Sequence, residues 1–140
     1  MGFLRTLDIS ASGLFVQRKI MDVIASNLAN METTRTEKGG PYRRKMVVLR
    51  TDPSDDFSHL LDLQMQSVRL EGIVEDKSPL RQVYDPAHPD ADKEGYLLKP
   101  NVDLVVEMTN MLIARRVFEA NVVAMKTTRQ MTLKALEVGR

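Results

Sequence analysis

The chain has no cysteine. That excludes disulfides, thiol catalysis and zinc sites built on thiolates. It sets no compartment, because a cysteine-free chain tolerates both reducing and oxidising surroundings. Tryptophan is also missing, and aromatic residues make up only 5% of the chain. A large globular core needs bulky anchors, and here the apolar residues are mostly aliphatic and gathered toward the two ends. Such a chain is expected to be marginal as an isolated monomer and to need neighbours to bury its surface. No run approaches the roughly 18 apolar residues of a membrane-spanning helix. The first thirty residues also lack the unbroken apolar core of a cleaved secretory signal, since Asp8, Ser10, Ser12 and Gln17 interrupt it. On the residues alone, the expectation is a cytoplasmic chain or one exported by an unconventional route. Neither sign of charge dominates. The net charge is +1, distributed as +1 over residues 1–30, −2 over 31–100 and +2 over 101–140. That excludes the strongly basic footprint of a nucleic-acid or membrane-surface binder.

What is present suits one ordinary domain: 140 residues, 43% of them hydrophobic, with nine methionines. The first segment, residues 4–30, is helical by period. Leu4, Leu7, Ala11, Leu14, Met21, Ala25 and Leu28 recur at alternating three-four spacing, a heptad-like seam broken only by Arg18. Ile20 and Ile24 widen its face. Gly13 should cost about 1 kcal/mol relative to Ala within a helix. Its small neighbours Ser10, Ala11 and Ser12 would let another backbone approach closely. Asn30 is a fitting stop, since Asn tolerates the left-handed conformation common there.

The last segment follows Pro100. Asn101 is the expected N-cap, and Asp103 and Glu107 place negative charge near the positive end of the helix dipole. Leu104, Met108, Met111, Phe118, Val122, Met125 and Leu136 carry the apolar stripe, with Arg115, Arg129 and Thr132 at its remaining positions. No Gly or Pro falls between Asn101 and Val138. A helix of about 35 residues would be about 50 Å long. Periodic patterns beyond about 25 residues point to coiled coils or helical assemblies. A helical hairpin accounts for part of both stripes and leaves much of them uncovered.

Between the helices the pattern changes. Gly39-Gly40-Pro41 marks a turn. Strands are expected over residues 42–50, 68–74, 80–84 and 96–98. Residues 51–66 read as a loop with a short helix. The fold class is therefore α+β, mainly α: two long terminal helices in a coiled-coil-like pair with a small β-rich insert. The expected division is residues 1–32 as the N-terminal helix of an assembly core, 33–100 as the insert with a variable loop near 51–66, and 101–140 as the C-terminal helix.

Few residues invite chemistry. Asp85, His88, Asp90 and Asp92 combine carboxylates with an imidazole, as a divalent-metal site would. Their spacing matches no calcium loop, and Pro86 and Pro89 fit a rigid connector instead. His59 has Ser54 and Ser58 nearby but no nucleophile-elbow pattern. Arg43-Arg44-Lys45 follows Tyr42, as at some nucleic-acid surfaces. In a near-neutral chain the run reads better as a solvated face or as ion pairing across a subunit contact. Gly39-Gly40 lacks the lysine context of a phosphate loop. The methionines of the last helix read as adaptable packing. No catalytic residue, cofactor or metal ligand is assigned.

Several runs carry a family resemblance. Ala25-Ser26-Asn27-Leu28-Ala29-Asn30 resembles the Asn-rich signature of the flagellar rod and hook axial family, which usually has Asn where Ser26 stands. Asp8-Ile9-Ser10-Ala11-Ser12-Gly13 resembles the start of that family's first helix. The segments Thr34-Arg35-Thr36, Gly39-Gly40-Pro41-Tyr42-Arg43-Arg44, Gly72-Ile73-Val74 and Ser78-Pro79 resemble its proximal-rod branch. So do Val83-Tyr84-Asp85-Pro86, His88-Pro89-Asp90-Ala91-Asp92, Gly95-Tyr96, Pro100-Asn101-Val102-Asp103 and Phe118-Glu119-Ala120-Asn121. The likeness spans nearly the whole chain apart from residues 51–66.

The resemblance implies a non-enzymatic subunit of the proximal rod, the part of the drive shaft that crosses the periplasm. It implies export through the flagellar type III apparatus without signal cleavage. The implied partners are copies of the chain itself, the rod proteins FlgB, FlgF and FlgG, and FliE, the adaptor to the membrane ring. The expected assembly interface comprises Leu7, Leu14, Met21, Leu28, Asn27, Asn30, Met108, Phe118, Val122 and Met125. Arg18, Arg115 and Arg129 are expected to make polar contacts. The competing readings are a regulatory or chaperone-like helical binding module and a small metal-dependent enzyme using the His88 cluster.

Overall fold

A computed structural model describes residues 2–51 and 68–138. Helix α1 spans Gly2–Ala29 and helix α2 spans Leu104–Val138. Between them lie β1 (Lys45–Thr51), β2 (Val68–Glu75), β3 (Arg81–Tyr84) and β4 (Tyr96–Lys99). Of the loop and short helix expected over residues 51–66, Thr51 instead ends β1, and the rest falls outside the described residues, as do His59, Ser54 and Ser58.

The helices run antiparallel. Gly13 lies beside Asn121, and Asn27 is bonded to Glu107, so sequence rises on α1 as it falls on α2. At 1.5 Å per residue α2 is about 52 Å long, and its C-terminal end reaches the level of the first residues of α1.

Both helix ends are set by side chains, though not always by those the sequence suggests. Asp103, rather than Asn101, caps α2. Its Oδ1 accepts the N–H groups of Val105 and Val106 at 2.9 and 3.0 Å. Two otherwise unpaired donors of the first turn are thereby satisfied. Asn101 stands too early and serves the insert instead: its Oδ1 accepts the Arg44 N–H at 2.8 Å. At the other end Asn30 does stop α1, but not through a left-handed backbone. Among the described residues only Gly39, Gly40 and Gly95 have positive φ. Asn30 instead turns its amide back onto the Ser26 carbonyl at 2.8 Å, while the Thr33 N–H bonds the Asn30 carbonyl.

The insert consists of two separate antiparallel ribbons, β1–β2 and β3–β4. In the first, Lys45 pairs with Glu75 and Thr51 with Val68, with an irregularity between Val48 and Leu49. In the second, Arg81 pairs with Lys99 and Tyr84 with Tyr96. Val68, Leu70 and Gly72 are half-buried while Arg69, Glu71 and Ile73 are exposed, as period-two alternation requires. β1 begins three residues later than its pattern suggests, because Tyr42, Arg43 and Arg44 are engaged by groups outside the ribbon.

The core is small. Val16, Val23 and Ile24 from α1, Leu97 from β4, Ala114 from α2, and Tyr42 and Val102 from the connecting segments are its buried apolar side chains. They gather where α1 ends and α2 begins. The outer half of the helix pair has no fully buried side chain among the described residues.

Candidate assembly interface and its polar junction

The helices and the insert meet at a buried polar cluster. Glu107 has no exposed surface and Asn27 is 1% exposed. The Arg44 Nε donates to Oε1 of Glu107 at 2.6 Å. The Asn27 amide donates to Oε2 of Glu107 at 3.1 Å and to the Lys45 carbonyl at 2.9 Å. Its Oδ1 in turn accepts the Tyr42 hydroxyl at 3.0 Å and the Lys45 N–H at 2.9 Å. One side chain of α1 thus extends the hydrogen bonding of β1 and grips α2. Among the described residues no buried side-chain nitrogen or oxygen lacks a partner. Satisfaction of this kind is what makes a buried charge tolerable.

The cluster extends outward. Arg44 Nη1 lies 3.7 Å from Asp76, and the Asn101 amide reaches the Ser78 hydroxyl at 2.9 Å. The Ser78 N–H and hydroxyl, followed by Arg44, hold the Asp76 carboxyl below its ordinary pKa. Nearby, a hydrogen bond from Lys99 lowers the pKa of Glu32 in the same way, against a smaller opposing effect of burial. The basic run beside Tyr42 therefore pairs within the chain: Arg44 joins α2, where the sequence suggested a solvated face or a contact with another subunit. Lys45 rests over the Tyr42 ring, 5.5 Å from its centroid.

The loop with the metal-like composition is a string of turns. The His88 Nδ1 accepts the Asp90 N–H, Asp85 accepts the Ala87 N–H, and Asp92 accepts those of Glu94 and Tyr96. Asp90 takes the Thr34 hydroxyl at 2.8 Å, which ties the loop to the segment after α1. Among the described residues no three such side chains converge as metal ligands would.

The helix surfaces fall into separate stripes. The buried line of α1 is Val16, Val23 and Asn27, with half-buried Ile20 between them. Leu7, Leu14, Met21 and Leu28 are half-buried. At 100° per residue they lie on another side of the helix from Val16. Asn30 is half-buried. On α2, Glu107, Met111, Ala114, Phe118, Val122 and Met125 share the less exposed face. Met108 is 58% exposed, and Val105, Leu112, Ile113, Val123 and Met131 of the same helix are also exposed. A groove of about 360 Å³ runs between α1, α2 and β1, lined by Ile20, Ile24, Val47, Ile113 and Val117 among others. Arg18, Arg115 and Arg129 are exposed, and Arg115 pairs with Glu119 at 3.0 Å.

Sequence reasoning missed Glu107 as a buried centre and gave Arg44, Tyr42 and Asn101 other roles. The available signal was a polar residue on the inner line of each helix.

Comparison with known proteins places these features in context. Residues 7–35 match the family described as flagella basal body rod protein, and residues 93–138 match the flagellar basal body rod FlgEFG protein C-terminal family. The chain is 47% identical to the flagellar basal-body rod protein FlgC of Bacillus subtilis, over 96% of this chain and 97% of that one. It is 39% identical to the FlgC of Borreliella burgdorferi, over 99% of this chain and 98% of the other. With the FlgC of Salmonella typhimurium the identity is 37% over the full length of both.

Proposed function

The chain belongs to the FlgC family of flagellar basal-body rod proteins, and from that premise we propose that its terminal helices polymerise to build the proximal part of the rod. It is a structural subunit of the flagellar basal body. The observation that carries the finer reading is the apolar surface left over once α1 and α2 have packed together. Val105, Leu112, Val123 and Met131 are each more than half exposed on one helix. Exposed apolar surface on this scale marks a protein–protein contact. The half-buried heptad line of Leu7, Leu14, Met21 and Leu28 supplies a second face.

In this reading residues 1–32 and 101–140 form the assembly core and residues 33–100 form an insert carried by it. Neighbouring copies, FlgB, FlgF and FlgG cover the remaining stripes, and FliE joins the assembly to the membrane ring. Asn27 contributes by fixing the shape of the packing unit, and Asn30 by ending α1. Arg18, Arg115 and Arg129 make polar contacts at the edges of the apolar faces. The subunit reaches its place through the flagellar type III export apparatus without a cleaved signal, and works in the periplasm as part of a torque-transmitting shaft. It carries out no catalysis.

Charge insertion tests this. Leu14→Glu and Val123→Glu are each introduced into a motile strain, and rods and swimming are scored. Loss of rods with the protein still produced is the expected result. Normal rods and normal swimming in both strains would sink the reading. A discrete helical binding module would tolerate both changes without loss of the rod.

A further inference from the structure

We propose that the buried Asn27–Glu107–Arg44 cluster is a register lock: it selects one sliding position of α1 against α2 and one seat for the insert, rather than adding net stability. The apolar faces of the two helices select a register only weakly. In the observed alignment Val16 stands level with Phe118, Ile20 with Ala114 and Val23 with Met111, by extension from the Asn27–Glu107 bond. A slide of seven residues keeps two of these levels apolar, Val16 with Met125 and Val23 with Phe118, and moves Ile20 from Ala114 to Asn121. Methionine adapts to either neighbour. The same slide puts Asn27 opposite Ala114 and takes Glu107 away from both of its partners. The slide separates Asn27, Glu107 and Arg44, and buried polar groups deprived of their partners are costly, so the observed register is favoured over it. A single polar residue at an inner position fixes register in this manner in coiled coils, at a cost in stability.

The insert is locked by the same atoms. The Asn27 amide occupies both the N–H and the C=O of Lys45, the first residue of β1. Arg44, one residue earlier, places its side chain on Glu107. Moving the ribbon by one residue would reverse the side on which Arg44 emerges and break both connections.

The absence of native cysteine allows a direct test on the purified full chain, independent of rod assembly. Spin labels are attached at Ala25→Cys on α1 and Lys126→Cys on α2, both exposed positions, and the distance between them is measured by pulsed electron resonance. The otherwise unaltered chain is expected to give one narrow distance. The near-isosteric variant Glu107→Gln, which keeps the side-chain shape and the acceptor for Arg44, is expected to give the same one. The triple variant Asn27→Leu, Arg44→Met, Glu107→Leu is expected to melt no lower than the parent. It should nevertheless show a broadened distribution or a second population displaced by about 10 Å, the length of seven helical residues. Three results would overturn the proposal: a triple variant with a single unshifted distance, a triple variant that does not fold, or a broad distribution in the parent chain.

Discussion

A Cβ built on Gly13 would stand 3.0 Å from Nδ2 of Asn121. The two helices approach closely here, and the glycine makes room for the amide of the facing helix. The obstacle is the end of a flexible, half-buried side chain, so it can yield. Gly13→Ala gains about 1 kcal/mol of helix propensity and loses part of it in moving Asn121. Its stability should therefore stay within about 1 kcal/mol of the parent in urea unfolding. Gly13→Leu cannot be accommodated this way and should cost about 1–3 kcal/mol through forced separation of the helices. Equal effects of the two substitutions would show that the approach at Gly13 is not close.

Removing one member of the buried ion pair should be far worse than replacing the whole cluster. Glu107→Leu leaves Arg44 and Asn27 facing an apolar side chain, a loss of about 3–5 kcal/mol. Glu107→Gln preserves an acceptor for Arg44 and should cost about 1–2 kcal/mol. Thermal unfolding of both variants checks the order. If Leu proved as mild as Gln, Glu107 would not be the buried centre of the junction.

Stability should decline in acid through the carboxylates at the outer edge of the junction. Asp76 and Glu32 have pKa values below their ordinary 3.8 and 4.5 in the folded chain. A depressed folded value means that the contribution is present above the unfolded value and lost as pH falls through the folded one. Both groups are close to solvent, so the effect is modest. Unfolding measured from pH 6 downward should show a loss setting in below about pH 5. The double variant Asp76→Asn, Glu32→Gln should flatten that slope, and an unchanged slope would assign the acid sensitivity to other groups.

The exposed ion pairs on α2 should matter little. Arg115 and Arg116 reach Glu119 at 3.0 and 3.4 Å, with all three side chains largely in solvent. The arginine precedes the glutamate, the less favourable order along a helix. Glu119→Ala should change the unfolding free energy by less than about 0.5 kcal/mol. A larger loss in the free chain would mean that this face of α2 is covered within the subunit.

Much of the architecture was readable from periodicity. The seven-residue spacing of Leu14, Met21 and Leu28, and of Met111, Phe118 and Met125, is sufficient for two long helices. The alternation through Val68, Leu70 and Gly72 is sufficient for a ribbon. Periodicity could not say which stripe faces inward. The buried line of α1 runs through Val16 and Val23 and ends on a polar residue, Asn27, so a count of apolar residues undervalues it. Glu107 looked like a dipole complement because it sits in the first turn of α2, and its partner Arg44 lies 63 residues away in sequence. The cap of α2 was misplaced by two residues because Asn101 and Asp103 are both good capping residues. Only the positions of Arg44 and Ser78 in the fold show that Asn101 is committed to the insert.

The most direct test of a rod subunit built on its terminal helices is a side-chain-resolution map of the assembled basal body. Such a subunit should have Val105, Leu112, Val123 and Met131 of α2 buried against neighbouring subunits, with the Asn27–Glu107 junction intact inside each copy. A map in which those side chains face solvent, while neighbours meet only through the insert, would contradict it.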